Sequence, residues 1–317
     1  MKYIQDLVSV IIPTYKRFDT LTRAIKSVAN QTYDNIEILV VDDNEPGDKY
    51  SIAVRGLLDS LKIKNLRLVT QPMHINGAAA RNAGVRSAQG EYISFLDDDD
   101  IIFPDKIEKQ INVLKNLDES VGGVSCLKIF FEDDKLTKVS ESWKCTQYQS
   151  FEIMSKQLNI QTGTVLLRRK CLDETGYFDE NLRRHQEVQL MSYFTDKYKV
   201  ILIDEVLTAI DGSDLSNRPN YNQLKVYKQD FFSSVNPLMQ KYSKRKKRFI
   251  INNHKTELAW VMFRDINKTK GLFMLLECFV DINVMISFTK RLIESFKGKS
   301  RLRRYAKKEY VQKLIKQ

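Results

Sequence analysis

Gly90-Glu91-Tyr92-Ile93-Ser94-Phe95-Leu96-Asp97-Asp98-Asp99-Asp100 is the stretch that decides the fold. A short apolar run ends abruptly in four adjacent carboxylates. The run reads as a buried strand. Four like charges at its end repel one another, so a fold keeps them only with compensation. A bound divalent cation is one form: Mg2+ takes oxygen ligands, often a few carboxylates plus substrate phosphates, and Mn2+ shares the preference. An acidic loop capping the helix that begins near Pro104 is the other. Alone, the two readings are even. At the end of a buried strand the cation reading prevails.

Three similar runs precede it: Val8 to Ile12, Ile36 to Val41 and Leu66 to Thr70. Helical periodicity fills the gaps, with Leu21, Ala24, Ile25 and Val28 on one face and an Ala-rich segment from Ala78 to Ala88. Strands alternating with helices predict an α/β fold, a doubly wound and mostly parallel sheet. Such sheets bind ligands beyond the carboxyl ends of their strands. Each strand here runs into a polar segment: Pro13 to Arg17, Asp42 to Glu45, Gln71-Pro72 with a Gly77-containing loop leading to Arg81, and the run at 97–100. Pro13-Thr14-Tyr15 leads the first of these and Asp42-Asp43 the second. Asp42-Asp43 suits either an Asx turn or acceptance from a base N–H or a ribose hydroxyl. Arg81, set among small residues that allow close approach, suits a nucleotide contact or a solvent-facing helix position.

Further along, Val121 to Phe131, Thr162 to Leu167 and Val200 to Ile203 read as strands, and His185 to Thr195 as a helix. From about Asn222 the pattern is helical and increasingly basic. The predicted organisation is 1–219, with a nucleotide-binding half (1–103) and an acceptor half (104–219), then a basic helical region (220–317).

The 317 residues are 43% hydrophobic and 29% charged, which excludes bulk disorder. The net charge of +11 is uneven. Residues 1–215 hold 27 Lys and Arg against 33 Asp and Glu, whereas 216–317 hold 24 against 7. An acidic front does not suit nucleic acid; the basic tail suits an anionic surface. Cys126, Cys145, Cys171 and Cys278 have no CxxC spacing, so neither a zinc site nor a disulfide scaffold is expected, and a reducing cytoplasm fits. No signal peptide is expected at the N-terminus. Gly271 to Phe288 is apolar but carries Glu277 and Asp281, each costing about 2.5–3.5 kcal/mol at a membrane centre. An interfacial or core helix is expected there instead of a span. Residues 290–317 hold 11 Lys and Arg against 2 Glu, with Phe288, Leu292, Phe296, Leu302, Tyr305 and Leu314 interleaved. That pattern predicts a basic amphipathic helix suited to an anionic leaflet, with a solvated helical face as the plainer reading. No nucleic-acid motif is present.

Four pieces, in this order and spacing, resemble family 2 glycosyltransferases with the GT-A fold. They are Val8 to Tyr15, Val40-Val41-Asp42-Asp43-Asn44, Ala80-Arg81-Asn82-Ala83-Gly84, and Gly90 to Asp100 followed by Pro104. The resemblance covers roughly residues 6–215. It implies that Pro13, Thr14 and Tyr15 line a base pocket and that Asp42 holds the base, usually uracil. It implies that Arg81 helps bind the nucleotide, that Asp97 and Asp99 form a DxD pair, and that Asp98 sits near the ribose. Asp99 would ligate Mn2+ or Mg2+, which would bridge the donor diphosphate. A Gly-x-Phe-Asp-Glu turn, here Gly176 to Glu180, precedes the family's catalytic base. The base position falls on Glu187, where the family usually has Asp; Asp179 and Glu180 are the fallbacks. Where relatives often carry a metal-completing His, this chain has Asp211. His185 is read as structural and near the acceptor, and His74 and His254 receive no role.

The implied activity is inverting transfer of a sugar from a nucleoside diphosphate sugar, UDP-linked by preference, to a hydroxyl of a glycan or lipid-linked glycan. The implied setting is cell-surface polysaccharide synthesis, at the cytoplasmic inner face of a membrane. Two other classes stay open: a nucleotidyltransferase, although its Gly-rich phosphate loop is missing after the first strand, and a non-catalytic nucleotide-sugar or membrane adaptor, because of Glu187.

Overall fold

Runs of β-branched residues without interruption can be satisfied only between two covering layers. The computed structural model, which describes residues 3–133, 135–145, 148–213 and 218–290 with positions 293, 302 and 305, builds such a sandwich. Strands β1 (Ile4–Thr14), β2 (Ile36–Asp42), β3 (Leu66–Thr70) and β4 (Gly90–Phe95) are parallel neighbours in the order β3-β2-β1-β4. Helices α1 (Leu21–Ala29), α2 (Lys49–Leu61) and α3 (Gly77–Ser87) connect them. Side chains alternate across the sheet: Val8, Val10 and Ile12 meet α1 on one face, and Ile11 meets α3 on the other. At Gly84 of α3 a Cβ would collide with Ile11 Cγ2 and lie 3.1 Å from Val41 Cγ2. Helix and sheet therefore meet with no room for a side chain.

The register lines up the strand ends. Thr14 pairs with Asp42, Asp42 with Thr70, and Ile11 with Phe95. The Asp97 to Asp100 run thus emerges beside Thr14 on one sheet edge.

The second half extends the sheet with mixed direction. After β5 (Ile101–Ile102) and α4 (Lys106–Lys115) come β6 (Val121–Glu132) and β7 (Lys135–Val139), then α5 (Ser150–Met154), β8 (Leu166–Arg168) and α6 (Arg169–Thr175). Helix α7 (Gln186–Lys197) and strand β9 (Lys199–Asp211) complete it. β8 is antiparallel to β4 and β6, and β9 is parallel to β6. Two expectations needed correction. β9 runs from Lys199 to Asp211, well past Ile203, because shifts in its register with β6 absorb the exposed Asp204-Glu205 pair. The 162–167 run is not one strand. Its first three residues form a 3-10 turn, in which the Thr164 hydroxyl donates to Gln161 O at 2.7 Å.

The last third packs against α5 and α7. It comprises α8 (Tyr221–Ser234), α9 (Asn236–Met239), α10 (Lys244–Asp265), α11 (Lys268–Phe279) and α12 (Ile282–Lys290). Asn220 and Gln223 form a capping box that starts α8. Phe231, Val235, Leu238 and Ile250 enclose Met154 of α5 against Val188 and Tyr193 of α7. Beside them Lys228 donates to Glu257 at 2.7 Å, and Lys156 pairs with the same carboxylate. His254 places Nδ1 3.2 Å from Lys228 Nζ and Nε2 2.9 Å from Met154 O. Burial brings Lys228 down to about 8, and burial with the nearby ammonium charges keeps His254 neutral. Burial opposes the ionised form of Glu257, but the two ammoniums hold it well below the usual range.

Within Gly271 to Phe288, α11 and α12 meet at 115°, and no single described helix is long and apolar enough to cross a membrane. Leu272, Phe273, Leu276, Val280 and Ile282 are exposed on this bent pair. The amphipathic helix expected at 290–317, with Leu292, Phe296 and Leu314, lies mostly outside the described residues. Leu302 and Tyr305 pack against a core cluster that contains Phe103, Leu127 and Phe131.

Candidate active site

The strand ends on that edge enclose a cleft of about 380 Å3. Pro13, Thr14 and Tyr15 form one wall as β1 turns away. The Tyr15 ring stacks on His74, with centroids 3.7 Å apart and planes within 11°. His74 Nδ1 lies 2.9 Å from Asp43 Oδ2. Burial raises the Asp43 carboxyl, against the pull of His74 and the Ile75 amide. A flat aromatic surface beside a carboxylate suits a nucleobase, one group by stacking and the other by accepting an N–H.

Asp42 is not in this wall. Its side chain is fully buried; Oδ1 accepts from Asn44 N at 3.1 Å and Asn44 Nδ2 at 2.7 Å, and Oδ2 accepts from Ser51 Oγ at 2.6 Å. Both oxygens are committed to shaping the turn, and it is Asp43 that lines the cleft. His74, given no role on sequence grounds, lines it too.

Opposite lies the acidic run. Asp98 Oδ2 accepts from Thr14 Oγ1 at 2.7 Å. Arg17 forms an ion pair with Asp99 and lies 3.5 Å from Asp98. Arg81, from α3, pairs with Asp97. Asp211, at the end of β9, pairs with Arg23 at 2.9 Å and lines the same cleft. Asp100 is the structural member: Oδ1 accepts from Asp211 N at 3.0 Å and so ties the loop between β4 and β5 to the end of β9.

Five carboxylates, Asp97 to Asp100 and Asp211, therefore crowd together with the guanidiniums of Arg17, Arg23 and Arg81. The crowding is felt. Burial, helped by Asp99 and Asp97 and opposed by Thr14 and Arg17, pushes Asp98 up to about 7. Burial and Asp97 raise Asp99, against Arg17; burial and its acidic neighbours raise Asp100 well above the usual range. Burial also works on Asp211, but hydrogen bonds from Ser213 and the pair with Arg23 hold it low. This set of carboxylate oxygens fits a hard divalent cation. Among the described residues no three acidic, His or Cys side chains already converge on one point. The fit is therefore to an ion held by few protein oxygens plus phosphate, as Mg2+ and Mn2+ often are.

A larger cavity of about 790 Å3 lies on the other side of Arg81. Arg81 lines both spaces. Glu187, in the first turn of α7, stands in the wall of the larger one and accepts from Thr162 Oγ1 at 2.8 Å. The 3-10 turn is what brings Thr162 there. Burial first, then the charge of Asp97, raises the Glu187 carboxyl; Arg81 and Thr162 oppose. A carboxylate shifted toward neutral pH and facing a cavity has the properties of a general base. The fallback acids are engaged elsewhere: Asp179 accepts from Ser234 Oγ at 2.6 Å and Glu180 from Asn82 Nδ2 at 2.8 Å.

His185 caps α7 with a left-handed backbone, φ 62°, and lines the larger cavity. Burial and the nearby cations bring its ring down to about 3, and its buried Nε2 has no hydrogen-bond partner among the described residues. The far wall comes from the last third of the chain: Arg218, Leu224 of α8, and Glu257, Trp260 and Arg264 of α10. Sequence reasoning missed this wall and Arg23, and it put Arg17 on the strand-end edge without giving it a role. Arg17 adjoins the Pro13-Thr14-Tyr15 segment and so had a signal in the sequence; Trp260 had none.

The family model described as glycosyl transferase family 2 matches residues 9–176. A curated relative from Escherichia coli, UDP-Glc:alpha-D-GlcNAc-diphosphoundecaprenol beta-1,3-glucosyltransferase WfaP, is 34% identical over 174 residues, 52% of this chain and 61% of its own. Two other curated relatives are matched over only 42% and 33% of their lengths. Among solved structures, S. aureus TarS 1-349 in complex with UDP-GlcNAc superimposes with a TM-score of 0.57 at 15% identity, covering 90% of this chain and 92% of that one. Mannosyltransferase PcManGT from Pyrobaculum calidifontis, in complex with GDP-Man and Mn2+, gives 0.56 at 15% identity, covering 98% and 85%. At that identity the two structures share the fold.

Proposed function

Because this chain belongs to glycosyl transferase family 2, we propose that it transfers a sugar from a nucleoside diphosphate sugar to a hydroxyl of a glycan acceptor, with inversion. One observation carries the reading: Arg81 is the common wall of an acid-lined cleft and of a cavity that holds a part-buried carboxylate. A donor lying with its base at Tyr15, His74 and Asp43 and its ribose at Asp98 would bring its diphosphate to Asp97, Asp99 and Arg81. Its sugar would then face the larger cavity.

Glu187 takes the proton of the acceptor hydroxyl as that oxygen attacks the anomeric carbon. The bond from that carbon to the β-phosphate oxygen breaks, and the nucleoside diphosphate leaves from the opposite face. Arg81 holds the diphosphate, and Thr162 orients Glu187. A divalent cation held by Asp99, with Asp97 and Asp211 at the same cleft, would neutralise charge on the departing diphosphate. A uridine donor is the preferred reading, supported by the UDP-Glc named for WfaP. The base contact expected of Asp42 on sequence grounds passes to Asp43.

Thermal melts against UDP, GDP and other nucleoside diphosphates and their sugars, with and without Mn2+ or Mg2+, test the donor reading. A ligand at about 100 times its Kd stabilises by about 2.7 kcal/mol. A shift with one nucleotide, larger with metal, is the expected result. No shift with any of them sinks the donor assignment.

We also infer attachment to the cytoplasmic face of a membrane. The exposed Phe273, Leu276 and Val280 of the bent α11–α12 pair lie between Lys268, Lys270 and Lys290, the composition of an interfacial foot on an anionic leaflet. Flotation with phosphatidylglycerol vesicles is expected, and weaker flotation after Phe273→Ser with Leu276→Ser. Equal behaviour toward neutral phosphatidylcholine vesicles would remove the charge argument.

A further inference from the structure

The 3-10 turn Thr162–Thr164 interrupts a buried apolar run, and its carbonyls have no strand ladder to enter. Side chains meet them instead. Thr208 Oγ1, on β9, donates to Gly163 O at 3.2 Å. Gln110 Nε2, on α4, donates to Thr164 O at 2.8 Å. Ser94 Oγ, on β4, donates to Val165 O at 3.0 Å. Three successive carbonyls thus take donors from three separate elements, and all three donor residues are fully buried. The Thr164 hydroxyl gives its own proton to Gln161 O at 2.7 Å, so Ser125 of β6, 2.9 Å away, donates to Thr164 Oγ1.

A strand continued through this run would satisfy its own backbone, whereas a buried irregular turn depends on such partners and loses stability without them. What the irregular turn delivers is the Thr162 hydroxyl, 2.8 Å from Glu187 Oε1. Strand β9 acts twice here. Thr208 holds the turn, and further along the same strand the Asp211 N–H holds Asp100. One strand therefore fixes both the support of Glu187 and the end of the acidic run.

We propose that Thr208, Gln110 and Ser94 are positioning residues for the transfer: by clamping the 162–164 turn they hold the Thr162 hydroxyl on Glu187. Their role in the reaction rests on the reading of Glu187 as the base; the clamp itself does not. Glu187 is faced by Asp97 after β4, Arg81 of α3 and Lys128 of β6, and Asp100 also feels its charge. Substitution at Thr162, Thr208 or Gln110 changes none of these charges. A change in the titration of Glu187 then reports its hydroxyl partner. A donated hydrogen bond favours the carboxylate, so its loss moves the midpoint up.

The full chain is labelled with 13C at the glutamate carboxyls and titrated by NMR; the Glu187 signal is the one missing from Glu187→Gln. Thr162→Val is expected to raise the midpoint by about one pH unit, the worth of a hydrogen bond to a charged group. Thr208→Val keeps the shape and removes the donor. It should move the midpoint the same way, and Thr208→Ser should restore it. Both Val changes together should raise it no further than Thr162→Val alone, because Thr208 acts through Thr162. If melting shows that Thr208→Val does not fold, Gln110→Met carries the same expectation. A midpoint unmoved in the folded variant, or moved as much when Thr162 is already replaced, overturns the proposal. Turnover is read as UDP released from UDP-glucose with Mn2+, water serving as acceptor. In Thr208→Val kcat should fall about tenfold to a hundredfold with KM unchanged. A moved midpoint with unchanged kcat, where Glu187→Gln abolishes release, overturns the role in the reaction. Release retained in Glu187→Gln sinks the base reading itself, whatever the midpoint does.

Discussion

Glu187→Gln is expected to abolish transfer while leaving the donor in place. The amide has nearly the shape of the carboxylate and can still accept from Thr162, so α7 and the cavity wall keep their form. What it cannot do is take a proton. General-base contributions run to about 10^2–10^4-fold in rate, and a loss of that size in turnover is the expected result. The UDP-dependent melting shift, read on the same sample, should be unchanged, because Glu187 stands across Arg81 from the cleft. Unchanged turnover would reject Glu187 as the base. Asp179 and Glu180 are poor substitutes, since Ser234 and Asn82 already occupy them. Unchanged turnover in all three variants would reopen the whole reading of the cavity.

Asp99→Ala carries the second large effect. It removes one of the five crowded carboxylates and, with it, the group best placed to meet a cation. The metal-dependent part of the nucleotide shift should disappear. About 2.7 kcal/mol is at stake for a ligand at 100 times its Kd. Without ligand the variant should melt no lower than the parent. Arg17 loses a partner but keeps Asp98 nearby, and Asp97 and Asp98 lose a like-charged neighbour. Stability that does not fall while ligand response vanishes is the mark of a site held together against its own charge. A metal-dependent shift that survives would place the ion elsewhere.

Much of the donor side was legible because it depends on short-range physics. Buried β-branched runs must be strands, and the polar residues after Ile12, Val41, Thr70 and Leu96 must gather at one edge. The choice between Asp42 and Asp43 was not legible. Both are acids at a strand end, and only the closing turn, with Asn44 and Ser51 folded back onto Asp42, decides which one faces outward. His74 looked isolated because its partners, Tyr15 and Asp43, come from other strands. On the acceptor side the turn at Gly176 pointed to Glu187, which the structure puts in the wall of the larger cavity, but its orientation depends on a 3-10 turn that looked like strand. The wall around Trp260 carries no pattern of spacing at all. Helices that bury one face against α5 and α7 put other residues into a cavity, and periodicity says only which residues are buried.

The origin of that wall has a consequence for how such a protein diversifies. The stretch matched by the family model stops at residue 176, before Arg183, Glu187 and every helix of the last third. On the proposed reading the matched portion holds the sugar nucleotide, and residues beyond it surround whatever receives the sugar. Lys228 and Glu257 fasten α8 and α10 to each other, and His254 and Lys156 fasten them to α5 and the loop after it, so this wall is braced apart from the strand-end cleft. Substitution in those helices can thus change what the cavity receives while Glu187, on α7, and the strand-end cleft keep their places.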